Sequence, residues 1–114
     1  MKKFLLTYNV PADAATRMAT FTPEQQAAGF KMWIDWFAKA GDHVVEMGAP
    51  LINSQSMNND GSFVPSDKQF SGYSILQAED IEAVKSLLQG HPHTSGWHEA
   101  ATIEIHEVSP IQGM

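Results

Sequence analysis

The sequence predicts a single α+β domain: a four-stranded antiparallel sheet with two helices on one of its faces. Three observations carry that expectation. Two stretches show apolar residues at helical spacing, and each is bracketed by short runs that alternate or are apolar throughout. Gly, Pro, Asn and Asp separate these runs cleanly. The length of 114 residues suits one core spanning residues 1–114, and with no cysteine there is no disulfide frame, thiolate nucleophile or thiolate-bound zinc.

Lys3 to Val10 reads as the first strand. Phe4, Leu6 and Tyr8 fall on one face and Leu5, Thr7 and Asn9 on the other, which suits a central strand with both faces covered. Pro11 to Phe21 reads as a loop. Thr22-Pro23-Glu24-Gln25 then opens a helix, with Thr as N-cap, Pro at the first position and Gln completing a capping box. Phe30, Trp33, Ile34 and Phe37 form its expected buried stripe, widened by Met32 and Trp36, and Gly41 ends it. His43 to Leu51 is the next strand, followed by a polar loop through Asp67. Phe70 to Ala78 is the third strand. Glu79 to Gln89 is the second helix, turning Ile81, Val84, Leu87 and Leu88 inward and stopping at Gly90 before Pro92. Ala101 to Val108 alternates Ile103 and Ile105 with Thr102, Glu104 and His106 as the last strand.

The order is βαββαβ, the ferredoxin-like arrangement, in which two right-handed crossovers put both helices on the same sheet face. The other face is expected to be apolar and bare. Its simplest cover is a second copy, giving a homodimeric two-sheet α/β barrel.

Composition narrows the partners. A net charge of −6 and scattered Lys and Arg argue against nucleic acid. No run approaches the ~20 apolar residues of a membrane span, and Phe4-Leu5-Leu6 is broken at Thr7 and Asn9, too short for a signal sequence. The cytoplasm is the expected location.

Several segments are similar to the YCII-related family in its DGPF branch. They are Asp60-Gly61-Ser62-Phe63, Gly72-Tyr73-Ser74-Ile75-Leu76-Gln77-Ala78, Gly90-His91-Pro92-His93 and Ile103-Glu104-Ile105-His106-Glu107-Val108. Tyr8, Met32-Trp33 and Gly48-Ala49-Pro50-Leu51 extend the resemblance over nearly the whole chain. It implies a dimeric α/β barrel and a pocket near the end of the second helix, facing the first. Ser62 replaces the proline of the DGPF turn, which loses a fixed φ. The family's His in the first helix and Asp before the later proline have no counterpart, since the first helix lacks His and His91 precedes Pro92.

Four of the five histidines cluster late: His91, His93, His98 and His106. Imidazole transfers protons near neutrality without a large pKa shift. His91 is the candidate catalytic residue, with His93, Trp36 and Trp97 as ligand contacts; the alternative role for His91 and His93 is to cap the second helix. His91, His93, His98 and Glu99 match no zinc spacing, so neither metal nor cofactor is expected. Glu104 and His106 share a sheet face and could hydrogen-bond. Trp33 is expected to be core, with Trp36 nearer the edge of the stripe. Two readings follow. One is a homodimer that binds a small organic ligand without an assigned reaction. The other is an isomerase- or lyase-like enzyme with His91 or His93 as proton carrier. Whether the chain is an enzyme stays open at this stage.

Overall fold

A computed structural model describes residues 1–113, the Ala15 side chain excepted. The chain runs β1 (Lys2–Asn9), α1 (Ala14–Ala19), α2 (Pro23–Ala40), β2 (Val44–Pro50), β3 (Gln55–Met57), β4 (Phe63–Pro65), β5 (Phe70–Ala78), α3 (Ile81–Leu87) and β6 (Thr102–Glu107). The main sheet has the order β2-β5-β1-β6 and is antiparallel throughout, the ferredoxin-like arrangement expected from the sequence. Phe4, Leu6 and Tyr8 of β1 pack with Leu76 and Ala78 of β5, Trp36 and Ala40 of α2 and Val84 of α3 in one core. Both long-range helices therefore lie on one face.

The caps form where the residues predict them. Thr22 accepts from Gln25 N–H while the Gln25 side chain accepts from Thr22 N–H, with Pro23 at the first helical position. Asp80 caps α3 by accepting from Ala83 N–H. Gly48 sits in the irregular stretch of β2 with φ +78°, and a Cβ there would lie 1.8 Å from the Tyr73 carbonyl oxygen. Only glycine fits so close a backbone approach.

Four expectations need correction. Residues 14–19 form α1 where a loop was expected. Six residues carry too little periodicity to signal a helix; this one is held from outside, by Arg17 to Glu99 at 2.8 Å. The polar loop after β2 contains the β3–β4 arm. Its turn is closed by Asp60, which accepts from both the N–H and the hydroxyl of Ser62, so a side-chain bond does what the missing proline would have done.

The third correction concerns the register of α2. Trp36 is 6% exposed and buried, whereas Phe30 is 69% exposed and Met32 and Ile34 are also open. The sheet meets the Trp36–Ala40 line; Trp33 and Phe37 pack at its margin. The fourth is the open sheet face. Leu5 and Ile75 are half-buried there, but Glu46, Thr7, Asn9, Tyr73, Gln77, Glu104 and His106 share it by register. The bare apolar surface lies instead along α2 and on the arm.

The molecule is correspondingly spread out. A compact 12.6 kDa chain exposes about 6,200 Å² by surface scaling, whereas this one exposes 7994 Å². Its radius of gyration is 15.9 Å against about 13 Å for a compact chain of this length. Among the described residues no helix is long and apolar enough to cross a membrane.

Candidate functional site

The turn Pro92–Thr94 follows α3 and carries the two histidines in opposite senses. Gly90 adopts φ +78° and reverses the chain, and Pro92 fixes the first position of the 3₁₀ turn. His91 is 0% exposed. Its Nδ1 accepts from His93 N–H at 3.0 Å, so the neutral ring carries its proton on Nε2. That Nε2 has no hydrogen-bond partner and is sealed among the rings of Trp36 (4.4 Å between centroids), Trp33 (4.7 Å) and Tyr8 (5.3 Å). Burial, then the neighbouring His93, hold the His91 pKa down to about 3, so the ring is neutral across the physiological range.

His93 faces the other way. It lines a cavity of about 1050 Å³ bounded by α2, the β2 bulge, the start of β5 and the loop carrying Trp97. His93 Nε2 meets the Asn9 carbonyl at 3.2 Å; a carbonyl only accepts, so Nε2 donates and Nδ1 keeps the lone pair. Burial lowers the His93 pKa, an effect opposed by the Asn9 and Thr102 carbonyls, which favour the charged ring. The Tyr8 ring lies 5.3 Å from His93 at a tilt of 59° and edge-on to Trp33 at 4.9 Å. Its hydroxyl donates to Ser74 Oγ, which in turn donates to the Met47 carbonyl, both at 2.7 Å. Burial pushes the Tyr8 phenol up to about 12, against the Ser74 bond, so it stays protonated.

Most of the remaining wall is apolar, with Phe30, Trp33, Ile34 and Phe37 of α2, Met18 and Phe21 beside α1, and Trp97; Gln25, Gln26, Ser71 and Ser95 are its uncharged polar members. Trp97 is fixed by donating Nε1–H to the His93 carbonyl at 2.9 Å. No Asp, Glu, Lys or Arg side chain lines the cavity among the described residues.

The structure thus brings His93 and Trp97 together at one cavity. It places His91 behind that wall and Trp36 beneath it, where Trp36 Nε1 donates to the Leu87 carbonyl at 3.1 Å. Trp33 stands on the cavity wall in the position expected for Trp36. From the sequence Tyr8 reads as a strand residue and carries part of the family resemblance; nothing in a βαβ pattern marks a core tyrosine as a cavity wall. His98 is engaged elsewhere: Nδ1 accepts from Ala100 N–H and Nε2 meets Asp13 at 3.2 Å. Glu99, hydrogen-bonded first of all to Arg17, is held down to about 2. Glu104 and His106 do not pair; they bond Asn9 and Thr7 across the sheet, each at 3.3 Å. Among the described residues no group of three or more His, Asp or Glu is arranged to hold a metal.

No family model matches the chain, and no curated protein matches it in sequence. Its fold is similar to that of the 5-chloro-2-hydroxyhydroquinone dehydrochlorinase TftG of Burkholderia phenoliruptrix, solved in complex with 2,5-dihydroxybenzoquinone. The TM-score is 0.51 at 15% identity, with 91% of each chain covered. That likeness is one of fold.

Proposed function

We propose that this chain is a homodimeric small-molecule-binding protein of the YCII-related, DGPF-branch kind, whose cavity takes a flat, uncharged organic ring. The observation that carries the reading is the cavity wall itself, which combines aromatic faces, one neutral imidazole and no charged side chain. Aromatic walls suit planar ligands, and a site without a cation penalises a carboxylate, whose burial without a partner costs several kcal/mol. His93 Nδ1 is the acceptor that would orient a ligand hydroxyl. The surface left open by the single chain, about 1,800 Å² beyond a compact one, supports the homodimer.

A second reading has one specific observation in its favour. Asn9 fixes the His93 tautomer, and burial keeps the ring neutral, so Nδ1 is poised as a general base for proton removal from a bound phenol or carbon acid. The neighbouring dehydrochlorinase shows that a protein of this fold holds a dihydroxybenzoquinone. This reading transfers the proton role to His93, since His91 does not reach the cavity.

Calorimetric titration with 2,3-dihydroxynaphthalene tests binding: wild type should bind, and Trp33→Ala should bind at least tenfold more weakly. A screen of lactones and quinones then separates the readings. Turnover abolished by His93→Ala supports the enzyme; binding without turnover supports the binder. Failure of every flat neutral ring to bind would contradict both.

A further inference from the structure

We infer that the ligand of the cavity carries a hydrocarbon chain: a neutral aromatic head sits at His93, and an unbranched apolar tail runs from it along α2, over Gly29. The inference rests on the ring reading proposed above and names the class of molecule that reading takes.

The ring site occupies one end of the cavity. Tyr8, Trp33 and Trp97 gather there, their ring centroids within 6.1 Å of that of His93. The wall continues along α2 from Phe37 back to Gln25. Those residues span about 18 Å at the helical rise, so the cavity of about 1050 Å³ is a trough longer than any bicyclic ring.

Gly29 marks the path of the tail. Residues four apart lie above one another on a helix, so Gln25, Gly29, Trp33 and Phe37 form one row, with Phe30 and Ile34 in the row beside it. One turn from Trp33, that row has no side chain. Glycine is the poorest helix former after proline, and Gly29 lies in the interior of α2. A Cβ added there meets nothing within 4 Å, so packing does not demand the glycine. An open channel beside the ring site does. Met18 and Phe21 line the same channel from the α1 side, and a methionine adapts its flexible, polarisable side chain to an irregular apolar ligand.

Charge and topology favour the same occupant. No Asp, Glu, Lys or Arg side chain lines the trough among the described residues, and Phe30, Met32 and Ile34 stand bare along it. Sheet-to-sheet pairing of two copies uses the face opposite the helices, so it leaves α2 outside the interface. A hydrocarbon chain covers these side chains, needs no polar partner and is continuous with the ring at His93.

Calorimetric titration of the full chain with 4-ethyl-, 4-butyl- and 4-hexylphenol tests the inference. The three share one head and are neutral at pH 7. A fully buried methylene is worth about fourfold in affinity, and the trough is open on one side, so a gain of roughly twofold per methylene is expected. 4-Hexylphenol should thus bind at least tenfold more tightly than 4-ethylphenol. Gly29→Leu removes a glycine from a helix interior and should raise the urea midpoint. It should also cut the tenfold ratio below threefold while leaving 4-ethylphenol within twofold of wild type. Phe30→Ser, at an exposed position, should reduce the ratio without loss of the fold. A wild-type ratio near one, or an undiminished ratio in either variant, would overturn the tail. 4-Ethylphenol bound with no gain from chain length leaves the ring reading standing and the trough to some other partner. No binding of any of the three phenols or of 2,3-dihydroxynaphthalene sinks the ring reading, and the tail with it.

Discussion

The His93 backbone N–H donates to His91 Nδ1 at 3.0 Å, so a buried imidazole sets the turn that aims the next imidazole at the cavity. His91 is the N-cap of that turn, and its carbonyl also accepts from Ser95 Oγ at 2.6 Å. Its orphaned Nε2–H is a standing cost of roughly 1–3 kcal/mol, relieved in part by the faces of the surrounding rings.

That arrangement makes stability depend on pH. The folded His91 pKa lies near 3 and the unfolded one near ~6.5, so the unfolded chain binds more protons between those values. Stability is full above ~6.5 and falls as pH drops toward 3; His93, also shifted down, adds in the same direction. Between pH 7 and pH 4 the loss from His91 is about 3 kcal/mol. His91→Asn keeps an acceptor for His93 N–H and should remove most of that dependence in urea unfolding. An unchanged pH slope would show that His91 titrates normally.

Trp36→Ala should cost about 3–5 kcal/mol, because the ring is buried and its Nε1 is bonded to Leu87. Trp33→Ala should cost less stability, since that ring stands partly open at the cavity. Equal midpoint shifts in urea unfolding would contradict the observed helix register.

The exchange of roles between those tryptophans shows where sequence reading stops. Spacing identified α2, its capping box at Thr22–Gln25 and its end near Gly41, all local features. Which side of the helix meets the sheet depends on the crossing geometry, and a stripe holding Phe30, Trp33, Ile34, Trp36 and Phe37 is too broad to choose. The β3–β4 arm was hidden for a different reason: its strands are three residues each, in a segment rich in Asn and Ser. At the site, the turn around Pro92 and its histidines were legible. Which imidazole reaches the cavity was not, because that depends on Gly90 reversing the chain and on Asn9, far away in sequence, receiving His93 Nε2–H.

Gly48→Ala should disrupt the β2 bulge, since the added carbon would meet the Tyr73 carbonyl at a φ of +78°. A loss of at least 2 kcal/mol is expected, of the order seen for strained backbone. A variant as stable as wild type would show that the bulge relaxes.

Chelation should leave the melting temperature unchanged. His91, His93 and His98 are each engaged by the chain itself, through the His93 N–H, the Asn9 carbonyl and Asp13. A melting temperature that falls with EDTA and recovers with zinc would contradict this.

The most direct test of the account compares two ligands of one shape by calorimetry at pH 7. 2,3-Dihydroxynaphthalene is neutral, and 3-hydroxy-2-naphthoate replaces one hydroxyl by a carboxylate. The cavity has no cation to meet that charge, so the neutral ring should bind at least tenfold more tightly, about 1.4 kcal/mol, and His93→Gln should weaken it. Equal or tighter binding of the naphthoate, or neutral binding indifferent to His93, would contradict a cavity built for uncharged rings and oriented by that imidazole.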